Sequence, residues 1–156
     1  MISAVVLFLS AISVSKACVP TATTTTTTPC CTMLSTSVLP RAPSSISTQQ
    51  QCSVLQRVSS TCPVDGIVVC AAAPETNPTG ILVEFFNTAG GTTPVRSASV
   101  IGSPATSVTV KVVCVNGVWR VPTSTGSATS SVINSVSCSQ SNSQGTDLGY
   151  VIGTSV

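Results

Sequence analysis

Cysteine is the residue that most constrains this chain of 156 residues. Eight cysteines are present and histidine is absent; the cysteines are Cys18, Cys30, Cys31, Cys52, Cys62, Cys70, Cys114 and Cys138. In an oxidising compartment an even number of cysteines predicts a disulfide framework. Eight cysteines allow roughly a hundred complete pairings, so spacing alone leaves the connectivity open. Without histidine or a cysteine pair spaced by two residues, a zinc site is disfavoured, and we expect no metal and no other cofactor.

The amino terminus has the pattern of a secretory signal peptide over residues 1–17. An apolar segment, residues 2–14, is followed by Ser15, Lys16 and Ala17, which form a small-x-small cleavage site. The segment is shorter than the ~20 residues that a membrane-spanning helix needs. The carboxyl-terminal "LGYVIGTSV" is too short for a lipid-anchor signal. We therefore expect a secreted, extracellular protein with no membrane partner after cleavage behind Ala17.

Charge is scarce, and its sparsity excludes some partners. Charged residues make up 6% of the chain, and removal of Lys16 leaves five basic and four acidic side chains. No basic cluster occurs among them. Nucleic acid and anionic membrane surfaces both require concentrated positive charge, so neither is an expected partner.

Residues 18–61 are dense in Ser, Thr, Pro and Gln, and the tract "TATTTTTTP" in residues 21–29 is typical of an O-glycosylated stalk. The candidate glycosylation sites are Thr23, Thr24, Thr25, Thr26, Thr27 and Thr28. An unmodified flexible linker is the alternative interpretation. No sequon for N-glycosylation is found, because Asn77 precedes a proline and the other asparagines lack the required hydroxyl.

From Cys62 onward, short runs rich in Val, Ile and Phe alternate with Gly, Pro, Asn and Ser. The runs are "GIVVC" (66–70), "ILVEFF" (81–86), "SASVI" (97–101), "SVTVKVVCV" (107–115), "VWRV" (118–121) and "SVINSVSC" (131–138). Such runs predict strands. The fold class expected is all-β, as a small disulfide-stabilised antiparallel β-sandwich.

The clearest local signal is "KVVCVNGVWRV", a hairpin around Asn116 and Gly117. A type I′ turn needs positive φ at both central residues, which Asn-Gly supplies. A two-residue loop places Cys114 opposite Trp119, so these two residues share a face. Val108, Val110 and Val112 share the same face, which we predict to be core; Thr109, Lys111, Val113, Val115 and Arg120 are assigned to the solvent face.

The predicted core is thin because it is built mainly from Val, Ala and Ile. A domain of this size and composition needs covalent support, and a bridge over a long loop adds about 3 to 4 kcal/mol. The predicted organisation is a signal peptide (1–17), a Thr-rich segment (18–29), a β domain (30–138, best supported over 62–138) and a flexible tail (139–156).

Several of these motifs together resemble the nematode six-cysteine (C-six) domain of secreted proteins. They are "CC" after a Thr/Pro tract, the pair Cys62 and Cys70 around a short strand, "VKVVCVNGVW" and "INSVSC". The matching six are Cys30, Cys31, Cys62, Cys70, Cys114 and Cys138. The resemblance covers residues 30–138 and implies no established activity. Cys52 lies outside the six and is expected to pair with Cys18 or to displace one of them.

The pattern of cysteine, glycine and tryptophan near the end of the domain also resembles the last third of a complement-control (sushi) module. This local similarity implies two bridges, Cys62 to Cys114 and Cys70 to Cys138.

Catalysis is disfavoured by the available side chains. The chain has no histidine to act as a base, and its carboxylates, Asp65, Glu75, Glu84 and Asp147, are isolated in sequence. No nucleophile-elbow pattern surrounds any serine. We therefore predict a protein that is not an enzyme.

The function expected is that of a structural or extracellular-matrix component. The alternative is a module that binds an extracellular protein or glycan, because Phe85 and Phe86 face opposite sides of their strand and one could be exposed. The competing expectation places one Phe in the core and the other under a loop. A secreted inhibitor is less favoured, because inhibitors crowd their cysteines around a short rigid loop.

Overall fold

A computed structural model describes residues 29–143, which form two antiparallel sheets packed as a β-sandwich. The all-β prediction is confirmed. Among the described residues no helix is long and apolar enough to span a bilayer. The strands are β1 (Val54–Ser59), β2 (Asp65–Ala71), β3 (Gly80–Phe86), β4 (Arg96–Ile101), β5 (Ser107–Val115), β6 (Val118–Pro122), β7 (Ser130–Val132) and β8 (Ser135–Ser141).

One sheet has five strands in the order β1-β2-β5-β6-β7, and the other has three in the order β4-β3-β8. The chain therefore changes sheet between β2 and β3, between β4 and β5, and between β7 and β8. The last crossing takes only Ile133 and Asn134, so the single predicted strand 131–138 is in fact two strands in different sheets. The Asn134 amide donates to the Phe86 carbonyl (2.8 Å), which fixes the entry into β8.

The core lies between the sheets, and burial alternates along β2, β5 and β6 of the five-stranded sheet. In β5, Val110 and Val112 are buried, whereas Thr109 and Lys111 are exposed. Trp119 on β6 is buried on the same side as the two valines. The predicted inner and outer faces of this hairpin are confirmed, because period-two alternation fixes the side to which each residue points.

The turn between β5 and β6 has the predicted conformation. Asn116 and Gly117 have φ values of 52° and 77°, as a type I′ turn requires. Cys114 pairs with Trp119, and Val115 pairs with Val118. The predicted register is therefore confirmed.

Residues 29–53 are packed against the sheets, although their sequence is rich in Ser, Thr, Pro and Gln and shows no strand run. This N-terminal segment buries Leu34 and Leu39, and it lies along the free edge of β8 through bridges from Arg41 to Val136 and from Gln50 to Gln140. Strand β1 then follows at Val54–Ser59, before the first run that the sequence predicts as a strand. A few spaced leucines suffice to anchor this segment because other elements cover it.

The carboxyl-terminal end of the β domain lies further along the chain than predicted. Residues 139–141, which the sequence assigns to the tail, complete β8, and Ser139 and Gln140 are fully buried. Gln140 accepts from the Ala73 amide (2.8 Å) and donates to Thr76 Oγ1 (3.1 Å). These hydrogen bonds allow a polar side chain to be buried at this position. Residues 144–156 of the predicted tail lie outside the described residues, as do the predicted signal peptide and residues 18–28.

Candidate functional site

Three disulfides are present in residues 29–143. They join Cys30 to Cys62, Cys31 to Cys114 and Cys70 to Cys138, with Cα–Cα distances of 5.0, 5.7 and 5.4 Å. The Cys70 to Cys138 bridge, which links the two sheets, is the one that the sushi resemblance implies. The implied bridge from Cys62 to Cys114 is wrong. The adjacent residues Cys30 and Cys31 form bridges to two different parts of the chain. Cys31 occupies the position beside Cys114, so Cys62 pairs with Cys30.

Besides the six cysteines of these bridges, the described range contains Cys52, whose side chain is buried. The guanidinium of Arg41 donates to the carbonyls on either side of it, Gln51 (2.7 Å) and Ser53 (2.9 Å), and to the Cys138 carbonyl (2.6 Å). Burial lowers the pKa of Arg41. The turn that carries Cys52 is therefore fixed to β8. Cys18 lies outside the described residues, so its pairing with Cys52 stays a prediction.

The hairpin of β5 and β6 is attached to the N-terminal segment at two points. One is the Cys31 to Cys114 bridge, and the other is a hydrogen bond of 2.9 Å from Trp119 Nε1 to the Thr32 carbonyl. Trp119 is 6% exposed. The predicted packing of Trp119 beside a bridge from Cys114 is therefore present, and the indole nitrogen has the partner that a buried Trp requires.

Glu84 is the one buried carboxylate of residues 29–143, with 1% of its surface exposed. It accepts hydrogen bonds from Ser44 Oγ (2.6 Å), from the Ser45 amide (3.0 Å) and from Ser45 Oγ. These donors all belong to the N-terminal segment, which thereby packs over the outer face of the three-stranded sheet. A buried carboxylate with this many donors is an anchor, and sequence reasoning missed it because the two serines are 39 and 40 residues away.

The aromatic side chains of residues 29–143 are all buried. Phe85 lies in the core between the sheets. Phe86, on the opposite side of β3, is also fully buried; it lies against the β3–β4 loop, where a Cβ on Gly91 would be 3.4 Å from Phe86 Cβ. The expectation of one core Phe and one Phe under a loop is confirmed. Neither Phe is exposed for binding.

The outward side of the five-stranded sheet carries a different set of residues. Its aliphatic members include Val58, Ile67, Val115 and Val118, each at least 37% exposed. Lys111 and Arg120 stand among them, and Lys111 forms an ion pair of 2.8 Å with Asp65. The sequence predicted that this face meets solvent, but not that exposed Val and Ile side chains would lie beside the cations on it.

A cavity of about 570 Å³ opens on this side, and we call it the outer groove. Its walls come from β2, β5, the end of β6, the β6–β7 loop and Arg96 of β4. The lining residues are Ile67, Arg96, Thr109, Val110, Lys111, Val113, Pro122, Ser124, Thr125, Gly126 and Ser127. Arg96 is fixed by a hydrogen bond of 2.6 Å to the Pro122 carbonyl. Desolvation lowers the pKa of Arg96.

Other predicted sites divide between the described and undescribed parts of the chain. Thr23, Thr24, Thr25, Thr26, Thr27 and Thr28 lie outside the described residues. Within residues 29–143 no three His, Cys, Asp or Glu side chains come together as a metal site would need. No protein-family model, curated protein or solved structure matches the chain. The fold and its bridges define a disulfide-stabilised β-sandwich, and the resemblance to the six-cysteine domain stays a prediction.

Proposed function

We propose that the protein is a secreted structural module, an extracellular-matrix component whose O-glycosylated Thr tract is joined to a durable, disulfide-bonded body. The predicted signal peptide supports export, and export supplies the oxidising conditions in which three bridges form and persist. The six cysteines selected by the resemblance to the nematode six-cysteine domain are the six that pair with one another. That agreement supports the resemblance.

The observation that carries the proposal is the placement of the bridges. Two of them hold the N-terminal segment, at Cys30 and Cys31, directly after the Thr tract. The third joins the two sheets between Cys70 and Cys138. A force or a crowded sugar chain acting on residues 23–28 would therefore be transmitted to covalent links. This arrangement suits a tethered component that must resist unfolding.

Catalysis has no place in this proposal. The Glu84 carboxylate accepts three hydrogen bonds from Ser44 and Ser45 and is enclosed. General base chemistry requires a titratable group within reach of a substrate proton, and an enclosed carboxylate does not meet that condition. The two other described carboxylates, Asp65 and Glu75, are exposed on separate parts of the surface.

A second candidate function is that of a module that binds an extracellular protein. The outer groove and the exposed aliphatic residues around it favour this candidate. Monomeric proteins keep such surfaces small unless they serve an interaction. Glycan binding is less favoured, since none of the aromatic side chains of residues 29–143 is exposed to offer a flat apolar contact surface.

Sequential extraction distinguishes the two candidate functions. The tagged full-length protein is expressed in secretory animal cells that deposit a matrix, and the matrix is extracted with salt, then detergent, then denaturant with reductant. A structural component is recovered mainly in the last fraction. Recovery of the protein in the culture medium and the salt fraction overturns the matrix proposal and leaves the binding module. A variant with all six residues 23–28 changed to Ala measures the contribution of the sugars.

A further inference from the structure

The charged residues of residues 29–143 are not spread evenly. Arg41, Arg57 and Glu84 are used inside the fold, where they bind the N-terminal segment or hold it in place. All but one of the remaining charged side chains lie on the outer face of the five-stranded sheet or in the outer groove. These side chains are Asp65, Arg96, Lys111 and Arg120. The exception is Glu75, in the β2–β3 connection.

The balance of charge on this face is positive. Lys111 is paired with Asp65, whereas Arg96 and Arg120 donate to the backbone carbonyls of Pro122 (2.6 Å) and Ser130 (3.0 Å). Neither arginine has a carboxylate within ion-pair distance in the described part of the chain. Each hydrogen bond restricts the orientation of its guanidinium. An arginine held in this way is preorganised to bind a carboxylate through parallel hydrogen bonds.

The surface between the cations is aliphatic. Ile67 lies beside Lys111 in the pairing of β2 with β5, and Val113 lies beside Arg120 in the pairing of β5 with β6. Val58, on β1, continues the same row beyond Ile67. The carboxylates and the aliphatic groups of a ligand would therefore find complementary residues side by side on this face. The β6–β7 loop adds hydroxyls from Ser124, Thr125 and Ser127 along the rim.

We propose that the outer groove and the sheet face around it bind an extended acidic segment of a partner protein, one that presents carboxylates and aliphatic side chains on the same side. This inference deepens the binding-module candidate and depends on the extracellular location proposed above. Positive charge opposite negative charge supplies the orientation, and the aliphatic rows supply the buried area. An extended segment suits the site because its alternate side chains point in one direction with a spacing that matches neighbouring rows of a sheet.

A sulfated glycan is a competing anionic ligand, and the composition of the face disfavours it. Affinity for a polyanion grows with the number of cations it meets, and here the cations are few and separated by Val and Ile. Aliphatic groups add nothing to the binding of a fully hydrated sugar chain. The two ligands therefore differ in a testable way, because only the acidic segment gains from its apolar side chains.

The test uses the secreted full-length protein, labelled with nitrogen-15, and the peptide acetyl-Glu-Ser-Val-Ser-Glu-Ser-Val-amide, whose extended form presents Glu and Val on one side. Two control peptides replace Glu by Lys or Val by Ser. Amide signals are followed as peptide is added up to about 1 mM, within the range expected for a weak contact. We expect shifts centred on Ile67, Lys111, Val113 and the loop 124–127, and weaker binding of both control peptides.

Matched variants locate the effect. Lys111→Gln should weaken binding about threefold, whereas Thr92→Glu, which changes net charge by the same amount in the exposed β3–β4 loop, should leave it unchanged. Ile67→Thr should weaken binding, whereas Ile101→Thr, at an 86% exposed position on the other sheet, should not. The dissociation constant should rise with added salt.

The proposal is overturned if the Lys peptide binds as well as the Glu peptide, if no signal of the outer groove shifts, or if heparin displaces the Glu peptide while loss of Val has no effect. The last result would assign the face to sulfated glycans. None of these results depends on the matrix extraction. If the peptide does not bind but the protein is recovered in the matrix, only this inference is overturned. If the peptide binds and the protein is recovered in the medium, only the matrix proposal is overturned.

Discussion

The indole N–H of Trp119 donates to the carbonyl of Thr32 across 2.9 Å, one residue after Cys31 bridges to Cys114. The largest side chain of the core is thus joined to the segment that follows the Thr tract. The covalent link and the hydrogen bond are adjacent, so the hairpin and the N-terminal segment hold each other in place. Loss of the bridge or of the hydrogen bond should therefore weaken the other contact as well.

The first prediction concerns that hydrogen bond. Trp119→Phe keeps an aromatic ring but removes the indole donor, which leaves the Thr32 carbonyl without its partner and some core volume empty. We expect the free energy of unfolding to fall by about 2 kcal/mol. Urea denaturation followed by circular dichroism measures it. A loss below about 0.5 kcal/mol, the range of ordinary surface substitutions, would contradict the role assigned to Trp119.

Much of the second half of the fold could be predicted from the sequence, because each strand carries its own local signal. The run 107–115 coincides with β5, and Asn116-Gly117 specifies the following turn and its register. Local pattern was insufficient for the run 131–138. There the chain changes sheet at Ile133 and Asn134, and that change depends on the location of β3 and β6 rather than on residue type.

The first half shows what local pattern omits. Residues 29–53 have few apolar side chains, and their order depends on contacts with distant strands: Glu84 with Ser44 and Ser45, and Arg57 Nε with the Leu39 carbonyl (2.6 Å). Disulfide pairing is non-local in the same sense. The outer groove was also beyond prediction, since it arises where the β6–β7 loop and Arg96 of β4 meet the face of the other sheet.

The second prediction uses the chain's single Trp as a probe of the bridges. Reduction of the folded protein should expose Trp119 and shift its fluorescence emission to longer wavelength, because the thin core cannot hold the hairpin after the bridges are lost. On the chain-entropy account, the Cys31 to Cys114 link alone, with a sequence separation of 83, contributes about 4.5 kcal/mol. An unchanged emission spectrum after complete reduction would show that noncovalent packing suffices.

The third prediction concerns Glu84. Glu84→Ala leaves three donors of the N-terminal segment without an acceptor and should lower the free energy of unfolding by about 3 kcal/mol. Glu84→Gln retains one carbonyl acceptor and should cost about half as much. Glu75→Gln, a change of the same kind at an exposed position, should stay within about 0.5 kcal/mol of the parent. Equal thermal stability of the Glu84→Ala variant and the parent would contradict the anchoring role.

The fourth prediction concerns a substitution that should raise the free energy of unfolding. Ser139 is fully buried, and its Oγ has no hydrogen-bond partner within residues 29–143. A buried hydroxyl without a partner carries a desolvation cost, so Ser139→Ala should raise the free energy of unfolding by about 1 kcal/mol. The control is Ser99→Ala, because Ser99 pairs with the other side of Leu82 and is exposed. A destabilised Ser139→Ala variant would reveal a partner for this hydroxyl.

The fifth prediction tests export, glycosylation and bridge count in one measurement, the intact mass of the secreted protein with and without reductant. Cleavage after Ala17 should leave Cys18 at the amino terminus, and sugars on residues 23–28 should add mass that the Ala-substituted tract lacks. Each bridge gains two hydrogens on reduction. All eight cysteines should be oxidised, because Cys18 and Cys52 are expected to form a fourth bridge in addition to the three within residues 29–143.

The double variant Cys18→Ser and Cys52→Ser serves as the matched control for the fifth prediction. It should lose one bridge and retain the other three, since the Arg41 hydrogen bonds to Gln51 and Ser53 still fix the turn around position 52. The fourth bridge would be excluded if the parent protein, alkylated immediately after secretion and before reduction, carried two labelled thiols. A labelled pair at Cys70 and Cys138 instead would contradict the link between the sheets, on which the proposed durability of the module depends.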